Sequence, residues 1–143
     1  MPHLTVRALE PQLQGNETAL IAALTDAVAD VYGEWARDVA VVHLDGVPAG
    51  RWGLGGKPVA EPAPAITFGI REAAFTRPDS DKLADELVRN VTDAAAGVLG
   101  AHLRDAIAVE LVATPAGRTA IGGVIVDRHP AGPGGEAGDS RPS

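Results

Sequence analysis

The chain has 143 residues, 45% of them hydrophobic and 22% charged, with a mean hydropathy of +0.06, a composition that fits a globular domain and argues against a disordered or fibrous chain. Its 12 Lys and Arg against 19 Asp and Glu give a formal charge of −7, the wrong sign for a protein that neutralises phosphates, so no nucleic-acid partner is expected. No run is apolar for a membrane-spanning length, and the start Met-Pro-His-Leu-Thr-Val-Arg lacks the basic and apolar blocks of a secretory signal, so a cytoplasmic protein with no membrane partner is expected.

Leu4, Val6 and Ala8 alternate with Thr5, Arg7 and Leu9, which is the period of a short strand. From Glu17 to Tyr32, apolar residues recur at helical spacing through Leu20, Ile21, Leu24, Val28 and Val31. Asn16 stands where an N-cap belongs and Gly33 where a helix stops. Residues 39–44 form an apolar, β-branched run of strand length, ended by Asp45-Gly46. After the glycine-rich block at 48–56, three prolines mark 57–64 as a linker. The order then repeats, with a strand at 66–70, a helix over Ser80–Leu99 ended by Gly100, and a strand at 106–112. Residues 128–143 hold four glycines and three prolines with almost no apolar mass, and read as a disordered tail.

The recurrence is a tandem duplication. Laying 20–56 over 87–123 at a fixed offset of 67 gives 17 identities in 37 positions without a gap. Thr25-Asp26-Ala27 meets Thr92-Asp93-Ala94, Arg37-Asp38 meets Arg104-Asp105, and Pro48-Ala49-Gly50-Arg51 meets Pro115-Ala116-Gly117-Arg118. Apolar strands joined by a helix predict a parallel βαβ crossover in each unit. The expected fold is α/β: two βαβ units, 2–56 and 65–126, forming one four-stranded mixed sheet with two helices on one face, within a single domain over 1–127.

Few residues offer chemistry. With no cysteine there is no thiolate nucleophile, disulfide or Cys-based metal site, and His3, His102 and His129 show no metal-ligand spacing, so neither a metal nor a cofactor is expected. Removal of Met1 before the small residue Pro2 would leave a secondary amine. A reference α-amino group titrates near ~8, and burial or neighbouring cations push it lower, making it a base at neutral pH. The block Pro-Ala-Gly-Arg-Trp-Gly-Leu-Gly-Gly at 48–56 follows a strand but opens no helix, so it reads as a hairpin or subunit-contact ribbon rather than a phosphate loop. Arg71 and Arg77 could hold a carboxylate bidentately. His43, matched by Glu110 in the second unit, reads as core-edge or interface packing rather than catalysis, and Arg51 and Arg118, repeated at the same hairpin position, read as structural or intersubunit residues.

An N-terminal Pro2 opening a β-α-β unit, with Val-Pro-Ala-Gly-Arg-Trp-Gly-Leu-Gly-Gly after the second strand, resembles the tautomerase superfamily, whose simplest members are like 4-oxalocrotonate tautomerase. The duplicated length and the Thr-Asp-Ala of the first helix resemble its fused members, in particular the cis-3-chloroacrylic acid dehalogenase group. The resemblance spans residues 2–126 and implies a homotrimer with one catalytic Pro2 per chain, because the second unit starts near Pro64 or Ala65, inside the chain. It also implies Arg71 and Arg77 as carboxylate clamps and Trp52 as an apolar pocket wall; Arg77 is similar to an arginine before the second helix of malonate semialdehyde decarboxylase. Departures bear on the reaction. Val28 stands where the dehalogenase group has a water-activating histidine, Glu110 where it has a tyrosine and Ile121 where it has a glutamate, which argues against hydrolytic dehalogenation. Gln12 and Ala40 fall where 4-oxalocrotonate tautomerase has arginines.

The expected function is therefore an isomerase, a tautomerase in which Pro2 is the general base for keto–enol exchange of a small 2-oxo or 2-hydroxyalkenoic acid. The alternatives are a hydratase, dehalogenase or decarboxylase acting on a three-carbon acid, and a catalytically degenerate trimer that only binds.

Overall fold

The computed structural model describes residues 2–126, so Met1 and the tail expected over 128–143 lie outside the described residues. Strand β1 (His3–Leu9) leads through the short α1 (Glu10–Leu13) into α2 (Glu17–Tyr32), α3 (Trp35–Val39) and β2 (Val41–Val47). A ribbon of β3 (Gly53–Leu54) and β4 (Lys57–Pro58) closes the first unit. The second runs β5 (Ala65–Arg71), a 3₁₀ turn (Glu72–Phe75), α4 (Ser80–Leu99), a 3₁₀ segment (Ala101–Ala106), β6 (Ala108–Thr114), and the ribbon β7 (Thr119–Ile121) and β8 (Val124–Val126).

The sheet order is β2-β1-β5-β6. Within each unit the strands are parallel, and β1 and β5 meet antiparallel at the centre with Thr5 opposite Thr67. This is the expected α/β fold with its mixed four-stranded sheet. Period-2 alternation sends Leu4, Val6 and Ala8 of β1 and Ile66, Phe68 and Ile70 of β5 into the core under α2 and α4. The helices answer with Leu20, Leu24, Val28, Leu87, Val91 and Ala95, the small Ala27 and Ala95 being among the side chains between them. The opposite sheet face is polar, with Arg7 paired to Asp45 across β1 and β2 at 3.1 Å.

The duplication extends to the hydrogen bonding at the strand starts. The Val41 amide donates to the Pro2 carbonyl at 3.1 Å, and the Ala108 amide donates to the Pro64 carbonyl at 3.4 Å, so Pro64 is the internal counterpart of Pro2. Both prolines are fully buried. The shared Asp and Arg identities turn out to be one ion pair made twice: Arg37 binds Asp26, and Arg104 binds Asp93 at 2.6 Å, each tying a short turn to the long helix before it.

Strand boundaries differ from the sequence reading: β2 and β6 run on to Val47 and Thr114 rather than stopping at 44 and 112, β5 gains a residue at each end, and two strands start late. The strands expected from 39 and 106 begin at Val41 and Ala108, because Gly33 and Gly100, at φ +110° and +141°, end the long helices and the chain starts a second helical turn before each strand. Ala36 and Leu103 of those turns are buried, and an apolar run this short has no periodicity that separates a turn from a strand. Asn16 occupies the N-cap position of α2, but its side-chain amide donates to the Gln12 carbonyl at 2.8 Å and closes the loop instead of capping.

The glycine-rich blocks are hairpins. Gly55 and Gly56 at φ +61° and +85°, like Gly122 and Gly123 at +60° and +82°, both have the left-handed conformation that a two-residue I′ turn requires. The expected linker thus begins inside the first ribbon, with Lys57 and Pro58 paired to Leu54 and Gly53. Among the described residues no helix is long and apolar enough to cross a membrane.

Candidate active site

The strand directions decide which residues can meet. β2 ends at Val47 beside Leu9, so the first hairpin leaves the sheet at the far end of β1. β5 brings Gly69 opposite His3, and one step further along that register Pro2 falls across from Ile70. β6 ends at Thr114 beside Arg71, so the second hairpin leaves from the Pro2 end.

At that end a cleft of about 430 Å³ opens between two walls. One wall is Tyr32, Trp35 and Val39, from the end of α2 and from α3; the other is Ile70, Arg71, Ala73, Ala74 and Arg77, from the end of β5 and the following turn. The volume suits a small ligand, and the lining is mostly apolar with a few convergent polar groups. Pro2 is buried beside this cleft and not itself exposed to it. Of the residues singled out in the sequence, the structure brings Arg71 and Arg77 together with the Pro2 end of the sheet. Arg71 also borders a smaller hollow of about 120 Å³ with His3, Ile70, Thr114, Thr119 and Ile121. Arg77 is exposed and shares Asp79 at 3.3 Å.

Trp52 is elsewhere. It sits half-buried on the first hairpin, its carbonyl accepting the Val59 amide at 2.8 Å, at the end of the sheet opposite Pro2. Within one chain it does not line the cleft. His43 is exposed on the polar sheet face, and His102 pairs with Glu61 at 3.1 Å, away from the cleft lining.

Sequence reasoning missed Tyr32 and Trp35. The signal available was their asymmetry: at the 67-residue offset they meet Leu99 and His102, so the second unit lacks both rings. Tyr32 stacks on the buried Phe68, ring centres 6.3 Å apart and planes 2° from parallel. Burial pushes its phenol above the ordinary 10.0, and the positive charge of Arg77 partly offsets this. Tyr32 is the single tyrosine of the chain, so tyrosinate absorbance reports it alone. An alkaline titration followed at that band has its midpoint above 10.0, and Arg77→Leu moves it further up. A midpoint unmoved by Arg77→Leu would separate the two groups. Because the folded chain holds this proton more tightly, the associated stability is full below pH 10.0 and falls as pH rises through the folded value.

Comparison with known proteins places this geometry. Residues 2–61 match the family model described as Tautomerase enzyme. A crystal structure of native fused 4-OT superposes with a TM-score of 0.73 at 27% identity, covering 86% of this chain and 94% of that one. The F6 fused 4-OT wild type asymmetric trimer superposes equally, at 0.73 and 26% identity over the same shares. N1, a member of the cis-3-chloroacrylic acid dehalogenase family, shares the fold at a TM-score of 0.70 and 20% identity, covering 88% of this chain and 84% of its own. No curated protein matches the sequence.

Proposed function

We propose that this chain, a fused two-unit member of the tautomerase superfamily, uses the free amine of Pro2 as a general base for keto–enol exchange of a small 2-oxo or 2-hydroxyalkenoic acid. The observation that carries this reading is the convergence of a buried Pro2, at the start of a central strand, with a cleft holding two guanidiniums. Removal of Met1 converts the amide nitrogen of Pro2 into a free amine. Burial and two neighbouring cations both favour its neutral form, which takes the enol proton and returns it to carbon. Arg71 and Arg77 hold the carboxylate, and the neutral Tyr32 phenol is a further hydrogen-bond donor in the same cleft. The described lining includes no carboxylate or imidazole, which supports proton transfer by the amine over activation of water for hydration or dehalogenation.

We place the active form as a homotrimer, as the fused 4-OT structure described above is a trimer. In that assembly Trp52, on a hairpin directed away from its own cleft, walls the cleft of another copy. The exposed Leu54 on the first hairpin and Ile121, Val124 and Ile125 on the second are apolar surface that such contacts would cover.

Ketonisation of phenylenolpyruvate by the wild type against Pro2→Ala tests the reading. The clamp has its own expectation. Hydrogen bonds to a charged group contribute about 1.5–3 kcal/mol, so Arg71→Ala or Arg77→Ala raises KM by about 10- to 100-fold, and Lys at either position restores only part of it. Steady-state kinetics check this, and an unchanged KM in both variants would remove the arginines from the clamp.

A further inference from the structure

The two walls of the cleft differ in chemistry. All of the charge in the described lining comes from 70–77; the wall from 32–39 has two aromatic rings and a valine. Trp35 is 57% exposed, a costly state for an indole. Its Nε1–H donates to the Tyr32 carbonyl at 2.7 Å, so the one polar atom of the ring is satisfied within the chain and the ring orientation is fixed. Gly33 makes that posture available: at φ +110° it has no side chain, and a Cβ there would lie 3.2 Å from Trp35 Cδ1. Tyr32 is held from behind by Phe68. The result is a rigid, flat, uncharged wall of two rings across the cleft from two guanidiniums.

Such a site anchors one carboxylate and offers apolar ring surface to the rest of the ligand. A second carboxylate would have to lose water against Trp35 and Val39 without a cation to receive it, a cost that rejects it. We infer that Trp35, supported by Tyr32, is a specificity-determining residue that selects enol acids with one carboxylate and a flat aromatic or unsaturated tail over dicarboxylates. The inference rests on the proposed proton-transfer function for its kinetic arm only.

The test has two arms. In the first, kcat/KM is measured for phenylenolpyruvate and for the dicarboxylate 2-hydroxyhexa-2,4-dienedioate with wild type, Trp35→Phe and Trp35→Ala. A stacked aromatic contact is worth up to about tenfold, so Trp35→Ala loses about tenfold on the aryl substrate and less than about threefold on the dicarboxylate, while Trp35→Phe keeps most of the preference. Equal losses on both substrates, or a wild type that prefers the dicarboxylate, overturn the inference while leaving the tautomerase reading intact. The second arm needs no turnover. The chain has two tryptophans, so indole emission is titrated with cinnamate and with fumarate in the wild type and in Trp35→Phe, and the difference between the two proteins reports Trp35. A saturable difference with cinnamate and none with fumarate supports the wall; no difference with either, or the same difference with both, overturns it. A protein that ketonises neither enol acid yet passes the fluorescence arm would fail as a tautomerase and keep its aromatic wall.

Discussion

Pro2→Ala lowers the rate of phenylenolpyruvate ketonisation by about 10²–10⁴-fold, the range that a positioned general base supplies. The substitution keeps an N-terminal amine but exchanges a secondary for a primary one and removes the ring that the core holds almost completely buried. It leaves the Val41 amide bonded to the carbonyl of residue 2, so the strand start is preserved and the loss is chemical. Three observations separate that from a folding defect. Intact mass shows whether Met1 is absent in both proteins, since a retained Met1 turns the amine into an amide that cannot act as a base. The thermal midpoint shows whether the small cavity left by the ring has cost more than a kcal/mol or so. The KM shows whether the clamp of Arg71 and Arg77 still grips the substrate. A mutant that is folded, processed and as fast as the wild type would end the amine mechanism.

The internal repeat makes most of the fold legible in the sequence alone. Identities such as Asp26 with Asp93 and Arg37 with Arg104 survive in both units because each unit needs the same ion pair to fasten a short turn to its long helix. Such residues mark the repeat, while the expected strands and helices follow from the apolar periodicity within each unit. The site lies where the repeats disagree. Tyr32 and Trp35 face Leu99 and His102 at the equivalent positions, and Pro2 faces Pro64, an internal residue with no free amine. A single apolar run could not show that Val39 ends a helical turn, which hid the wall that Trp35 begins. The position of the hairpin carrying Trp52, by contrast, is already implied, because the parallel crossover expected in the first unit sends the end of β2 to the end of the sheet remote from Pro2. That is a property of topology rather than of any residue.

Phe68→Ala is expected to have the largest effect on stability. The ring is fully buried on β5, opposite Leu4 of β1 on one side and Leu111 of β6 on the other, and it carries Tyr32 on its face. Truncating a buried Phe costs about 3–5 kcal/mol, through lost transfer energy and the cavity left behind. That is a large share of the roughly 5–15 kcal/mol that holds a domain of this size together. Denaturant unfolding at fixed protein concentration reads the loss, concentration being controlled because assembly would add to apparent stability. Phe68→Leu refills most of the volume and recovers the larger part of it, but it cannot replace the stack, worth about 0.5–1.5 kcal/mol. The two variants therefore divide the role of the residue: the step from Ala to Leu measures packing between the strands, and the step from Leu to Phe measures the support given to the Tyr32 wall. If the stack matters to the site, Phe68→Leu stays folded while its preference for the aryl substrate declines, as it does in Trp35→Ala. A Phe68→Ala variant that loses less than about 1 kcal/mol would show instead that the core does not centre on this ring.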